Sequence, residues 1–153
     1  MHDEPRDTML PLALLAAASG ARTMAGVAAI VPRGPVRLLA AAELVADKLP
    51  GVPNRIDPAL VLGRVAAGAL VGAAVGGQTG RNRGELAIVG ALIAFASTHA
   101  TYRMRRALSE RLPPVAAAFV EDAIVVGAAA VGAALIHRRG RADESPRQMR
   151  RGL

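Results

Sequence analysis

Cysteine and tryptophan are absent from this chain, and it holds one tyrosine and two phenylalanines. Without cysteine there is no disulfide, no thiolate metal site and no thiol nucleophile. With aromatic residues at 2%, no rings interleave with basic side chains to stack nucleic-acid bases, and no aromatic belt marks a membrane interface. Lysine is almost missing too: Lys48 stands alone among 19 basic residues, the others being arginine. His2, His99 and His137 are too scattered for a metal site. What is present is unevenly spread. Of the 19 basic and 12 acidic residues, only Arg22, Arg64, Glu121 and Asp122 fall within four apolar stretches, Met9–Val31, Ala59–Thr79, Leu86–Tyr102 and Pro114–Ile136. A soluble helix shows charge on one face at every turn. These stretches do not, and each is near the ~20 residues that cross a hydrocarbon core.

The pattern predicts an all-α integral membrane bundle of about four transmembrane helices. Pro35–Leu49 reads differently: Leu38, Ala42, Val45 and Leu49 form an apolar stripe, with Glu43 and Asp47 on another face. This is one amphipathic or re-entrant helix, lying on the membrane or dipping into it. Pro50, Pro53 and Pro58 stiffen a linker after it. The domain reading is a polar N-terminal segment over 1–8, a membrane domain over 9–137 and a basic, disordered tail over 138–153. Residues 1–8 carry Asp3, Glu4 and Asp7 against Arg6, the opposite of the basic start of a secretory leader.

A charge inside a span is costly, so it faces the bundle and finds a partner. At ~1.5 Å per residue, Arg22, Arg64 and Glu121 come to similar depth below the face that carries the 32–58 and 103–113 segments. Glu43 and Asp47 sit at that face. Arg64, Gly68, Gly72 and Gly76 repeat every four residues, a small-residue surface that lets a neighbouring backbone approach, in this chain or in a second copy. Glu121 shares its side with Ala117, Ala118, Val125, Ala128 and Gly132, mostly small, and Asp122 with the bulkier Val115, Phe119 and Val126. This points Glu121 inward and leaves Asp122 as a helix-end or loop-side group. Two expectations follow. Either Arg64–Glu121 and Arg22 with Glu43 or Asp47 are ion pairs that fix helix packing, or the same groups line a polar cavity for an anion or headgroup.

Gly76–Gly84 lacks the Gly-Lys-Ser/Thr ending of a phosphate loop and follows no strand, so it reads as a turn. Ser19, Ser97 and Thr98 have no His–Asp pair in reach, which leaves no catalytic residues, and no cofactor is implied. The net charge of +7 sits at span ends and in the tail, where headgroups of the lipid bilayer are the fitting partner and nucleic acid is not. With Pro32–Pro58 placed on one face, basic residues divide almost evenly between the two faces and leave the orientation open.

The pieces Gly20-Ala21-Arg22-Thr23, Glu43-Leu44-Val45-Ala46-Asp47-Lys48-Leu49-Pro50 and Pro53-Asn54-Arg55, then Arg64 with Gly68 and Gly72, resemble a family of bacterial membrane proteins, the domain of unknown function 4126 family. Thr101-Tyr102-Arg103 with Arg106, and Val120-Glu121-Asp122-Ala123, continue the resemblance, which runs from about Gly20 to Val131. Ala100-Thr101 stands where the family pattern has a glycine before Tyr-x-x-Arg. The resemblance implies a multi-span protein of the bacterial inner membrane with no established activity. It groups Arg22, Glu43, Asp47, Arg64, Arg103, Glu121 and Asp122 in one cluster. The expected role is not enzymatic: a transporter-like or lipid- or anion-binding protein, a homodimer being compatible, or else a structural membrane protein.

Overall fold

Every regular element is a helix in the computed structural model, which describes residues 4–31 and 57–151. They are α1 (Glu4–Ala21), α2 (Thr23–Ile30), α3 (Pro58–Thr79), α4 (Arg83–Ser109) and α5 (Pro114–Arg151). The Pro35–Leu49 segment and most of the proline linker lie outside the described residues. Three helical stretches are long and apolar enough to cross a membrane: Pro58–Thr79, Arg83–Ser109 and Val115–Arg138.

Short-range chemistry sets the ends of α3 and α4. Asp57 caps α3 by accepting from the Ala59 amide at 3.0 Å, and Pro58, whose missing N–H is no loss in a first turn, follows it. Gly80 ends α3 in the left-handed region at φ 67°, which a side chain would strain. Asn82 then accepts from the Gly84 and Glu85 amides and donates to the Glu85 carboxylate, opening α4. The glycine-rich Gly76–Gly84 stretch is thus a stop and a start, joined by Gly80, Arg81 and Asn82.

The packing is inside-out relative to a soluble bundle. Leu62 is 70% exposed, Ile88 65% and Phe119 59%, whereas Arg22 is 2% exposed and Glu121 is fully buried. Large apolar side chains on the outside with charge inside is the arrangement hydrocarbon solvent selects. Between helices the contacts are small. A Cβ on Gly68 would overlap the Gly90 carbonyl, and one on Gly72 would overlap the Leu86 carbonyl. The glycine stripe therefore joins α3 to α4 within the chain. Gly76 sits more loosely, its would-be Cβ at 3.0 Å from the Arg83 Cα.

The first apolar stretch departs from expectation. Met9–Val31 is not one crossing helix: the chain breaks at Arg22, whose backbone is extended (φ −140°, ψ 119°). A Cβ on Gly26 would run into the Leu15 carbonyl and Ser19 Oγ, so α2 folds back along α1. Ile30 accordingly joins Leu12, Val71, Val75 and Ile136 in one buried cluster, with Met9 and Val31 packed against it. At the end of the bundle that holds the 80–82 turn, α1 starts and α2 finishes. Hydropathy alone cannot separate one long span from a hairpin of the same composition, because it sums side chains and carries no direction. The α1 helix, shorter in its apolar part than the three crossing stretches, is deeply enclosed. α1 touches α3, α4 and α5, and Leu12, Leu15, Ala16 and Ser19 have no exposed surface.

At the end that holds the 80–82 turn, α5 runs on as helix to Arg151, across the stretch that composition reads as a disordered tail. Once an apolar helix is nucleated, adding residues at its end is cheap.

Candidate functional site

The hairpin tip is the polar centre of the molecule. α1 ends there with carbonyls that no longer have helical donors. The Arg22 amide takes the Ala18 carbonyl at 2.8 Å, and α4 brings two hydroxyls against the last turns of α1, one of them to the orphan Gly20 carbonyl. Thr98 Oγ1 lies 2.7 Å from the Gly20 carbonyl and 2.8 Å from its own Ala94 carbonyl, sharing one proton between them. Ser97 Oγ does the same for the Ala17 and Ala94 carbonyls, both at 3.1 Å. Gly20 makes this approach possible, since a Cβ there would overlap Ser97 Oγ and the Ala94 carbonyl. Non-helical backbone at membrane depth is tolerated where protein satisfies it, and here it does. Thr98→Val keeps the shape and removes the donor. It is expected to cost about 1 kcal/mol, as interhelical hydrogen bonds in membranes do. A thermal melt in detergent that matches the parent protein would contradict this account of the tip.

Arg22, at the break, forms an ion pair with Asp122 of α5. The guanidinium is 2% exposed and the carboxylate 13%. One residue earlier on α5, the fully buried Glu121 accepts from Arg105 Nη1 of α4 at 3.3 Å. Arg64 of α3 is 5% exposed. None of Arg22, Arg64, Glu121 and Asp122 is without a partner. Counted along their helices, Arg64 lies ~9 Å from Pro58, Asp122 ~12 Å from Pro114 and Arg105 ~6 Å from Ser109. All three distances are measured from the end that holds the 110–113 connection, so one third of the bundle collects three arginines and two carboxylates from three helices and the break.

The sequence reading names most of this set and errs in two places. Asp122 is no helix-end group; it is the partner of Arg22. Adjacent residues on a helix point ~100° apart, so Glu121 and Asp122 reach different neighbours and both face protein. Arg103 is exposed and stands apart from the cluster, while Arg105 belongs to it. The signal was present. Leu86, Gly90, Ala94 and Thr98 are the buried face of α4; seven residues past Thr98 returns to within ~20° of that face, whereas five residues lands ~140° away. Glu43 and Asp47 lie outside the described residues. Among the described residues, no group of three His, Asp or Glu side chains is placed to hold a metal.

A family model for a domain of unknown function, DUF4126, matches residues 34–137, more than half of the chain. The match takes in Arg64, Gly68, Gly72, Arg105, Glu121 and Asp122 and begins after the α1–α2 hairpin. No curated protein and no solved structure matches the chain.

Proposed function

This chain belongs to the DUF4126 family, and on that premise we propose that it is a membrane-embedded binding protein of the cell membrane, transporter-like or lipid-interacting, with its site at the tip of the α1–α2 hairpin. The observation that carries the reading is a helix broken at a buried arginine. A short apolar helix that stops inside a bundle leaves backbone dipoles and charge at one depth, the arrangement by which discontinuous helices hold polar solutes in membranes. Three arginines against two carboxylates among the described residues favour an anionic ligand, a small anion or a lipid headgroup. Its role is binding or passage rather than bond chemistry.

Native mass spectrometry of the protein, gently extracted from its membrane, tests this. A stoichiometric anionic lipid or solute that disappears in Arg64→Ala is the expected result. A bare species whose composition that exchange leaves unchanged would overturn the reading. The ion pairs Arg22–Asp122 and Arg105–Glu121 favour a second reading, in which the charges only fix helix packing. Desolvation offsets much of the attraction in such pairs, so their presence alone does not choose between the two.

A further inference from the structure

We propose that the protein lies with the 80–82 turn and the Arg138–Arg151 end of α5 on the cytoplasmic side, so that the hairpin enters from the cytoplasm and the Arg22 cluster lies nearer the outer face. The inference rests on the membrane reading above and on which end of the bundle each helix end occupies.

In the structure α2 returns toward the 80–82 end, and Val31 packs there with the Leu12, Val75 and Ile136 cluster. That end holds Arg6 at the start of α1, Arg81 and Arg83 around the turn, and the six arginines of 138–151, nine in all. The 110–113 end holds four, Arg103, Arg105, Arg106 and Arg111. Among the described residues, with the buried Arg22 and Arg64 set aside, the basic count is nine against four.

Basic residues near span ends are retained on the cytoplasmic side, and acidic residues weigh little in that choice. All of those counted lie within ~15 residues of a helix end in the bundle, the range over which the rule acts. The sidedness thus follows from which end of the bundle the described helix ends occupy. It also gives the Arg22–Asp122 and Arg105–Glu121 pairs an address: ~6–12 Å below the outer face along α4 and α5.

The absence of cysteine makes the test direct, because any introduced thiol is the sole one. Gln78→Cys places it beside the 80–82 turn and Ser109→Cys at the opposite end, both at exposed positions. The full chain is produced in cells and treated with a membrane-impermeant maleimide before and after permeabilisation. The expected result is Ser109→Cys labelled in intact cells and Gln78→Cys labelled only once the membrane is opened. The reverse pattern, or both positions labelled in intact cells, overturns the proposed orientation. Leu70→Cys, 64% exposed midway along α3, separates the two ideas. It should stay unlabelled in both conditions. Its ready labelling from water would sink the membrane reading itself, whichever end reacts from outside.

Discussion

Gly72→Val is expected to lower the thermal stability of this protein more than any other single exchange on the α3 glycine stripe. Overpacking a tight contact costs about 1–3 kcal/mol, occasionally more. Here the obstacle is the Leu86 carbonyl and the Ala87 Cα, which are backbone and cannot rotate away. The α3 and α4 helices would have to separate. Separation would also loosen Gly68 against Gly90 and Ala94, since the same approach holds all four. Gly63→Val is the matched control on the same helix, because a Cβ at Gly63 meets nothing within 4 Å. Melts followed by circular dichroism in one detergent should show a large drop for the first variant and little change for the second. Equal melting of both variants would mean that the stripe does not join these two helices, and a contact between copies would then have to be considered in its place.

Asp122→Ala carries the second large effect. Arg22 is held at the hairpin tip, 2% exposed, and losing the carboxylate leaves a buried guanidinium without its ion-pair partner in α5. Breaking a buried pair from one side costs about 3–5 kcal/mol. The double variant Arg22→Ala with Asp122→Ala removes both charges together and should be less damaged than the two single losses summed, with a coupling of about 1–3 kcal/mol for residues in direct contact. Strictly additive losses would contradict a direct pair. Each of the two residues has interactions besides this one, so the double variant should not return fully to the parent stability. The reversed pair, Arg22→Asp with Asp122→Arg, adds a functional readout. If the charges serve only packing, the reversed pair restores both folding and the phenotype of the parent. If Arg22 contacts an anionic ligand, the protein folds and the retained ligand is lost.

The candidate site was half legible in the sequence, for reasons that differ by residue. Burying Arg22, Arg64 and Glu121 follows from placing charge within apolar stretches, because hydrocarbon offers no alternative to protein partners. Arg105 could have been found by extending the Leu86–Thr98 face of α4 by two further turns; its place at the polar end of a long helix made it look like a headgroup contact. The pairing of Asp122 with Arg22 was beyond any single-helix argument, since the side of α5 that meets the hairpin depends on where α1 lies.

What the sequence alone determined is the class: all-helical, apolar outside, with family membership and a glycine stripe built for close contact. These are properties of composition and period, and each is carried by residues near one another in the chain. Tertiary structure decided the path. Arg22 interrupts Met9–Val31 with neither glycine nor proline at the break itself, and nothing in a run of alanines says that α2 should fold back. The hairpin forms because Gly20 and Gly26 permit contacts with residues far along the chain or on the opposite arm, and because Thr98 and Asp122 satisfy what the break exposes. Those partners are brought together only when α4 and α5 are already in place, which is why the turn belongs to the fold.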